Sequence, residues 1–164
     1  VQAAAALSRT ALRMGNRLSL LVLGEHVTRV FPGTGKRQLV RILDALAGCQ
    51  PGEKASLNML RYLPVRLFPS HSLLIIISPL RASDIPVISR LRASGYQVLL
   101  VSPDPVRFAS REPHSPLARR AALVERQTLL WRVREIGARA IDWPVDQPLM
   151  NAAGAFIHEQ GERR

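Results

Sequence analysis

The sequence is short of several kinds of residue, and each shortage excludes something. There is one cysteine, Cys49, so no disulfide can close within the chain. A cystine-stapled secreted scaffold is thereby excluded, and the chain fits a reducing compartment. Aromatic residues are only 5% of the total, too few for the stacking platforms on which single-stranded nucleic acid is held. Lysine is nearly missing, with only Lys36 and Lys54. No apolar run approaches the ~20 residues that cross a bilayer. The longest, Leu18–Leu23 and Leu73–Ile77, have strand length. Val1–Leu12 lacks the basic leader and long apolar stretch of a signal peptide, and Arg9 and Arg13 break up the region. No internal repeat is visible. The first residue is Val1 and not Met, an opening expected of a piece of a longer protein.

What is present suits one globular domain. The 164 residues are 47% hydrophobic, enough for an ordinary core. The net charge is 23 − 12 = +11, nearly all of it arginine. The arginines run from Arg9 to Arg164, many at helical spacing beside apolar residues. Dispersion of this kind reads as a solvated basic surface. The alternative is a basic domain that binds nucleic acid or an anionic surface through one concentrated face.

Hydrophobic periodicity then orders the elements. Ala3–Met14 reads as a helix with Leu7, Ala11 and Met14 on one stripe, stopped by Gly15-Asn16. Arg17–Leu23 reads as a continuous apolar strand covered on both faces. A turn at Gly24-Glu25 leads into an outer, edge-like strand, His26–Phe31, making a hairpin. Lys36–Ala47 is an amphipathic helix with Leu39, Ile42, Leu43 and Leu46 inward, ended by Gly48. Ser56–Phe68 reads as a second helix, kinked or restarted at Pro64. Ser72–Ile77, with five consecutive aliphatic residues, is placed in the middle of a parallel sheet. Ser83-Asp84 caps a helix through Arg92, with Pro86 in its first turn. Tyr96–Val101 is a strand, Ser102–Pro116 a proline-rich loop, Leu117–Ile136 a long helix, Ala138–Asp142 a short strand and Gln147–Glu159 a last helix. The tail 161–164 reads as frayed. Helices alternating with apolar strands predict a single α/β domain over residues 1–160, an open, doubly wound, mostly parallel sheet with helices on both faces. The hairpin adds one antiparallel edge.

Few motifs carry chemistry. Gly33-Thr34-Gly35-Lys36 looks like a phosphate loop but fails the pattern, because Val30 stands where the first glycine belongs and Arg37 where Ser or Thr belongs. His26, His71, His114 and His158 share no metal-ligand spacing. Cys49 follows a helix C-terminus, where a thiolate is disfavoured. Asp104, between Pro103 and Pro105, lies just past the C-terminal end of a strand, the edge where open α/β sheets bind ligands. It reads first as a turn residue. In Ile141-Asp142-Trp143-Pro144 the structural reading packs Trp143 over the sheet edge and pairs Asp142 with an arginine or a backbone group; the functional reading is an exposed recognition corner.

The order of these pieces resembles a family. Gly15-Asn16-Arg17-Leu18 leads into Leu20-Leu21-Val22-Leu23-Gly24, then a hairpin, Pro32-Gly33-Thr34-Gly35 and a helix ending Leu43-Asp44-Ala45-Leu46. Ile76-Ile77-Ser78, Gly95-Tyr96-Gln97-Val98, Val101-Ser102-Pro103-Asp104-Pro105, Glu125-Arg126, Gly137 and Ile141-Asp142-Trp143 follow. The set resembles domain-of-unknown-function family 58, of the von Willebrand factor A-like group, over nearly the whole chain. The resemblance implies a doubly wound sheet with an antiparallel edge strand. It also implies a metal site at the C-terminal edge of the sheet, built on an Asp-x-Ser-x-Ser element after the first strand. That element is missing here, since the chain begins in the helix that would follow it. Ser56 lies where a threonine ligand is expected, with Lys54-Ala55 as the lesser alternative, and Pro79 stands where an aspartate is expected. A proline has no side-chain oxygen to offer. The resemblance therefore implies a degenerate metal site and no cofactor, with magnesium held only if the missing first-strand ligands are supplied, and with Asp84 and Asp104 as remote substitutes. Without a central first strand, Arg17–Leu23 and Ser72–Ile77 would leave a gap or pair directly.

The function expected on these grounds is that of a non-enzymatic protein-interaction module. It would dock a partner through the loops at Ser56, Ser78 to Asp84 and Ser102 to Asp104. The resemblance implies a MoxR-type AAA+ ATPase as partner and a place in the cytoplasm or on the cytoplasmic face of a membrane, reached through segments this chain does not contain. An α/β enzyme using the edge near Asp104 ranks last, because no nucleophile, base and orienting group share a local pattern.

Overall fold

A computed structural model describes residues 1–24, 26–50, 57–61, 68–105 and 116–149. Its contacts divide the chain into two compact units, Val1–Tyr62 and Leu63–Arg164.

The first unit begins with helix α1 (Gln2–Arg13), strands β1 (Leu18–Leu23) and β2 (Val27–Gly33), and helix α2 (Gly35–Ala47). Leu12, Ile42 and Leu46 form its buried centre, with Ala4, Ala5, Leu18, Leu20, Val22, Val30 and Leu39 packed around them. The inward stripe of α1 is rotated from the expected one. Ala3, Ser8 and Leu12 are buried, whereas Met14 lies beyond the last turn and is 74% exposed. The small alanine face lets α1 and α2 approach closely, and that contact outweighs the larger but terminal methionine.

β1 pairs antiparallel with β2. Leu18, Leu20 and Val22 pack against the helix core, and Leu21 and Leu23, on the other face, are half-buried too. β2 is the outer strand: Val27, Thr28, Arg29 and Phe31 are exposed. The guanidinium of Arg29 lies 4.6 Å from the centre of the Phe31 ring, a cation–π contact on the open face.

The register slips between Leu18/Gly33 and Leu20/Val30, so β2 carries one residue more than β1 over this step. Such a bulge leaves ladder carbonyls without strand partners. Gln38 on α2 supplies the missing donor. Its buried side-chain amide donates to Leu18 O at 2.8 Å and to Phe31 O at 2.7 Å. The arrangement requires Gly33, since a Cβ there would stand 2.5 Å from Gln38 Oε1. The Gly33–Gly35 stretch therefore ends a strand and starts a helix, tied by Gln38.

The expected helix over Ser56–Phe68 is represented by a short 3-10 turn at Leu57–Arg61; residues 51–56 and 62–67 lie outside the described residues.

The second unit contains β3 (Leu73–Ile77), a 3-10 turn at Ala82–Asp84, α3 (Ile85–Ala93), β4 (Gln97–Pro103), α4 (Pro116–Glu135) and β5 (Arg139–Trp143). The strands are parallel in the order β3-β4-β5. β4, and not β3, is therefore the central strand. β3 is outermost among the described strands, with Leu73 53% and Ile75 38% exposed. An uninterrupted aliphatic run announces a strand but does not fix its place in the order.

Both crossovers step in the same direction, and right-handed crossovers of that kind put their helices on one face. α3 and α4 accordingly pack against each other. Val87, Ile88 and Leu91 of α3 and Leu129, Leu130 and Val133 of α4 are buried, as are Ile76, Val98, Leu100 and Ala140 of the sheet. The strand order does not reverse among the described residues, so the expected double winding and helices on both faces are not seen there. The described strands form two sheets, the β1-β2 hairpin and the parallel β3-β4-β5, so the hairpin is not an edge of the parallel sheet. Residues 2–13 are helical. The expected helix over 147–159 falls mostly on residues 150–164, outside the described ones.

Candidate functional site

The C-terminal ends of the three parallel strands open onto short connections. After β3, Ser78 N donates to Val101 O at 3.2 Å and carries the ladder one step further. Ser78 is half-buried, and its hydroxyl makes a long 3.4 Å bond to Pro79 O. Two residues on, Leu80 N donates to the hydroxyl of Ser102, which is fully buried at the end of β4. Asp104 N donates to Trp143 O at 2.9 Å and joins the ends of β4 and β5.

Arg126 sits at the centre of this edge. It lies on the inner face of α4, on the stripe of Leu129, Leu130 and Val133, and is 7% exposed. A guanidinium carries five N–H groups in a planar fork and is stable when buried only if they find acceptors. Nη2 donates to Ser102 O at 2.9 Å and to Asp142 Oδ1 at 2.6 Å. Nε donates to Asp142 Oδ1 at 3.2 Å and stands 3.7 Å from Asp104 Oδ1. The two carboxylates differ in exposure. Asp104 is buried, whereas the Asp142 side chain is 45% exposed.

Asp84 is tied differently. It is 2% exposed, and its Oδ2 accepts from Arg81 N at 2.9 Å, closing the turn that starts α3. Burial raises its carboxyl pKa above the ordinary value; the Arg81 N–H bond and the Arg81 charge offset this only in part.

Of the residues expected to form the site, Ser78, Asp84 and Asp104 follow β3 and β4, and Ser56 lies outside the described residues. Asp104 joins the Arg126 cluster and Asp84 serves its own turn. Asp142 pairs with an arginine, as the structural reading of that corner expects, and Trp143 Nε1 donates to Gln147 O at 2.8 Å. The reading of residues missed the part played by Arg126 and Ser102. One signal was available: an arginine at position 126 interrupts an otherwise aliphatic stripe on α4, and a buried cation needs an anion opposite it.

The donor set suits a cation that is already covalently part of the chain. Arg126 lies against both Asp104 and Asp142, Asp84 is engaged by Arg81, and Pro79 has no side-chain oxygen. Among the described residues no three of His, Cys, Asp and Glu are grouped as metal ligands. The described residues at this edge offer too few free oxygens for a hard divalent ion, which needs several. Comparison with family models, curated proteins and solved structures returns no match to this chain.

Proposed function

We propose that the chain is a non-catalytic protein-binding module, von Willebrand A-like in kind, that presents the C-terminal edge of its parallel sheet to a protein partner. The observation that carries this reading is the Arg126 cluster. One buried guanidinium fixes the ends of β4 and β5 and leaves the Asp142 carboxylate half in solvent, where a partner can reach it. A rigid edge with one accessible acid is suited to docking. In the same reading the metal site of the group is degenerate, with Arg126 standing as the cation.

The dispersion of charge favours protein over nucleic acid. Exposed arginines occur on α1, α2, α3 and α4, and so on each of the two units, and are not gathered on a single element. Among the described residues no helix is long and apolar enough to cross a membrane. The proposed setting is the cytoplasm or its membrane face, and the proposed partner, from the family resemblance, is a MoxR-type AAA+ ATPase.

Titration calorimetry of the chain against such an ATPase, kept nucleotide-free, tests this reading. Binding should be the same with magnesium or with chelator, and Asp142→Arg should weaken it at least tenfold. Binding that disappears with magnesium, or that ignores Asp142→Arg, contradicts it.

A further inference from the structure

A second surface lies on the opposite side of α4, away from Arg126. Leu117, Ala121, Val124, Thr128 and Trp131 follow each other at spacings of four, three, four and three, and all five are exposed. Leu117 is 76%, Val124 63% and Trp131 57% exposed. The alternation of four and three keeps side chains on one line down a helix, the spacing by which helices pack seam to seam. At 1.5 Å per residue the line runs about 21 Å. The inner face of α4 is separately filled by Arg126, Leu129, Leu130 and Val133, so the core makes no use of this seam. Thr128 gives its hydroxyl to Val124 O at 2.9 Å and leaves its methyl group as the contact surface.

The flanks specify the occupant. The positions bordering the seam include Arg120, Arg132 and Arg134, against Glu125 alone among the acids, a balance of 3 − 1 = +2. From this juxtaposition we infer that the outer face of α4 docks an amphipathic helix of a partner protein whose apolar seam is flanked by Asp and Glu. A second copy would set +2 against +2. Trp131 supplies the large, partly exposed anchor on which such interfaces concentrate their energy. The inference does not depend on the sheet-edge reading.

The test uses the whole chain and two labelled peptides of three heptads, each with Leu at the seam positions. One has Glu at all flanking positions and the other Lys; like charge keeps each from pairing with itself. Fluorescence anisotropy should show the Glu peptide binding at least tenfold more tightly. Val124→Glu should abolish this with an unchanged thermal melt, and reversing Arg120, Arg132 and Arg134 to Glu should invert the preference. If Val124→Glu alters the melt, the inversion decides. The inference is overturned by no binding, by equal binding of the two peptides, by binding that survives Val124→Glu in a folded chain, or by a dimer of the chain in sedimentation that Val124→Glu dissolves.

Discussion

Each unit is fastened by one buried polar side chain that reaches from a helix to strand carbonyls, and the two fasteners differ in charge. In the first unit Gln38 donates from α2 to Leu18 O and Phe31 O. In the second Arg126 donates from α4 to Ser102 O and holds two carboxylates. The neutral amide solves a local problem, since the β-bulge leaves carbonyls that need donors. The guanidinium brings a charge into the interior, and the charge must be matched there. An amide can therefore be removed at the cost of the carbonyls it served, whereas removing the guanidinium also takes a cation away from Asp104 and Asp142. The comparison separates bonds that finish a fold from bonds that commit it to a particular charge pattern.

The largest effect should come from Arg126→Met, which keeps an unbranched apolar stem and deletes the guanidinium. Loss of one partner from a buried ion pair costs about 3–5 kcal/mol. Amide hydrogen exchange should show this loss in β4 and β5, and Arg126→Met combined with Asp104→Leu should lose less than the two single losses added together. Gln38→Leu should cost about 1–3 kcal/mol, the usual penalty for a buried group left unpaired, and exchange should quicken in β1 and β2. A Gln38 loss as large as the Arg126 loss would break the comparison. The smallest effect should be the one read by pH. Asp84 is a buried acid met by a backbone N–H and not by a packed guanidinium, and its folded pKa is raised. The folded state then holds a proton that the unfolded state has already lost. Stability should fall as pH rises from the ordinary carboxylate range through the raised value. Asp84→Asn should flatten that slope in denaturant titrations run across acid pH; an unchanged slope would place the charge elsewhere.

Periodicity in the sequence located the elements well where the pattern was strong. The helices at 2–13, 35–47, 85–93 and 116–135, and the strands at 18–23, 73–77, 97–103 and 139–143, all match expected segments within a few residues. What stayed hidden was order and partnership. Leu73–Ile77 and Gln97–Pro103 are both apolar enough for the centre of a sheet, and only the parallel register shows that β4 holds it. The site was half legible. Asp104 and Asp142 could be singled out by their places after strands, but the arginine that joins them comes from α4, sixteen residues before Asp142. Gln38 was invisible for a similar reason: the need it meets is created by a register slip in the hairpin.

The outer position of β3 has a consequence for the chain as a material. Ser72–Ser78 is a seven-residue stretch without charge, proline or glycine, and one edge of its strand has no partner among the described strands. Folded proteins commonly guard such an edge with a lysine, a proline or a bulge, and the stretch carries none of these. The same seven residues have the composition that stacks into cross-β fibrils when chains are concentrated or partly opened. Self-association of the protein should therefore begin at this strand, and a single lysine at exposed Ile75 would act as a gatekeeper there.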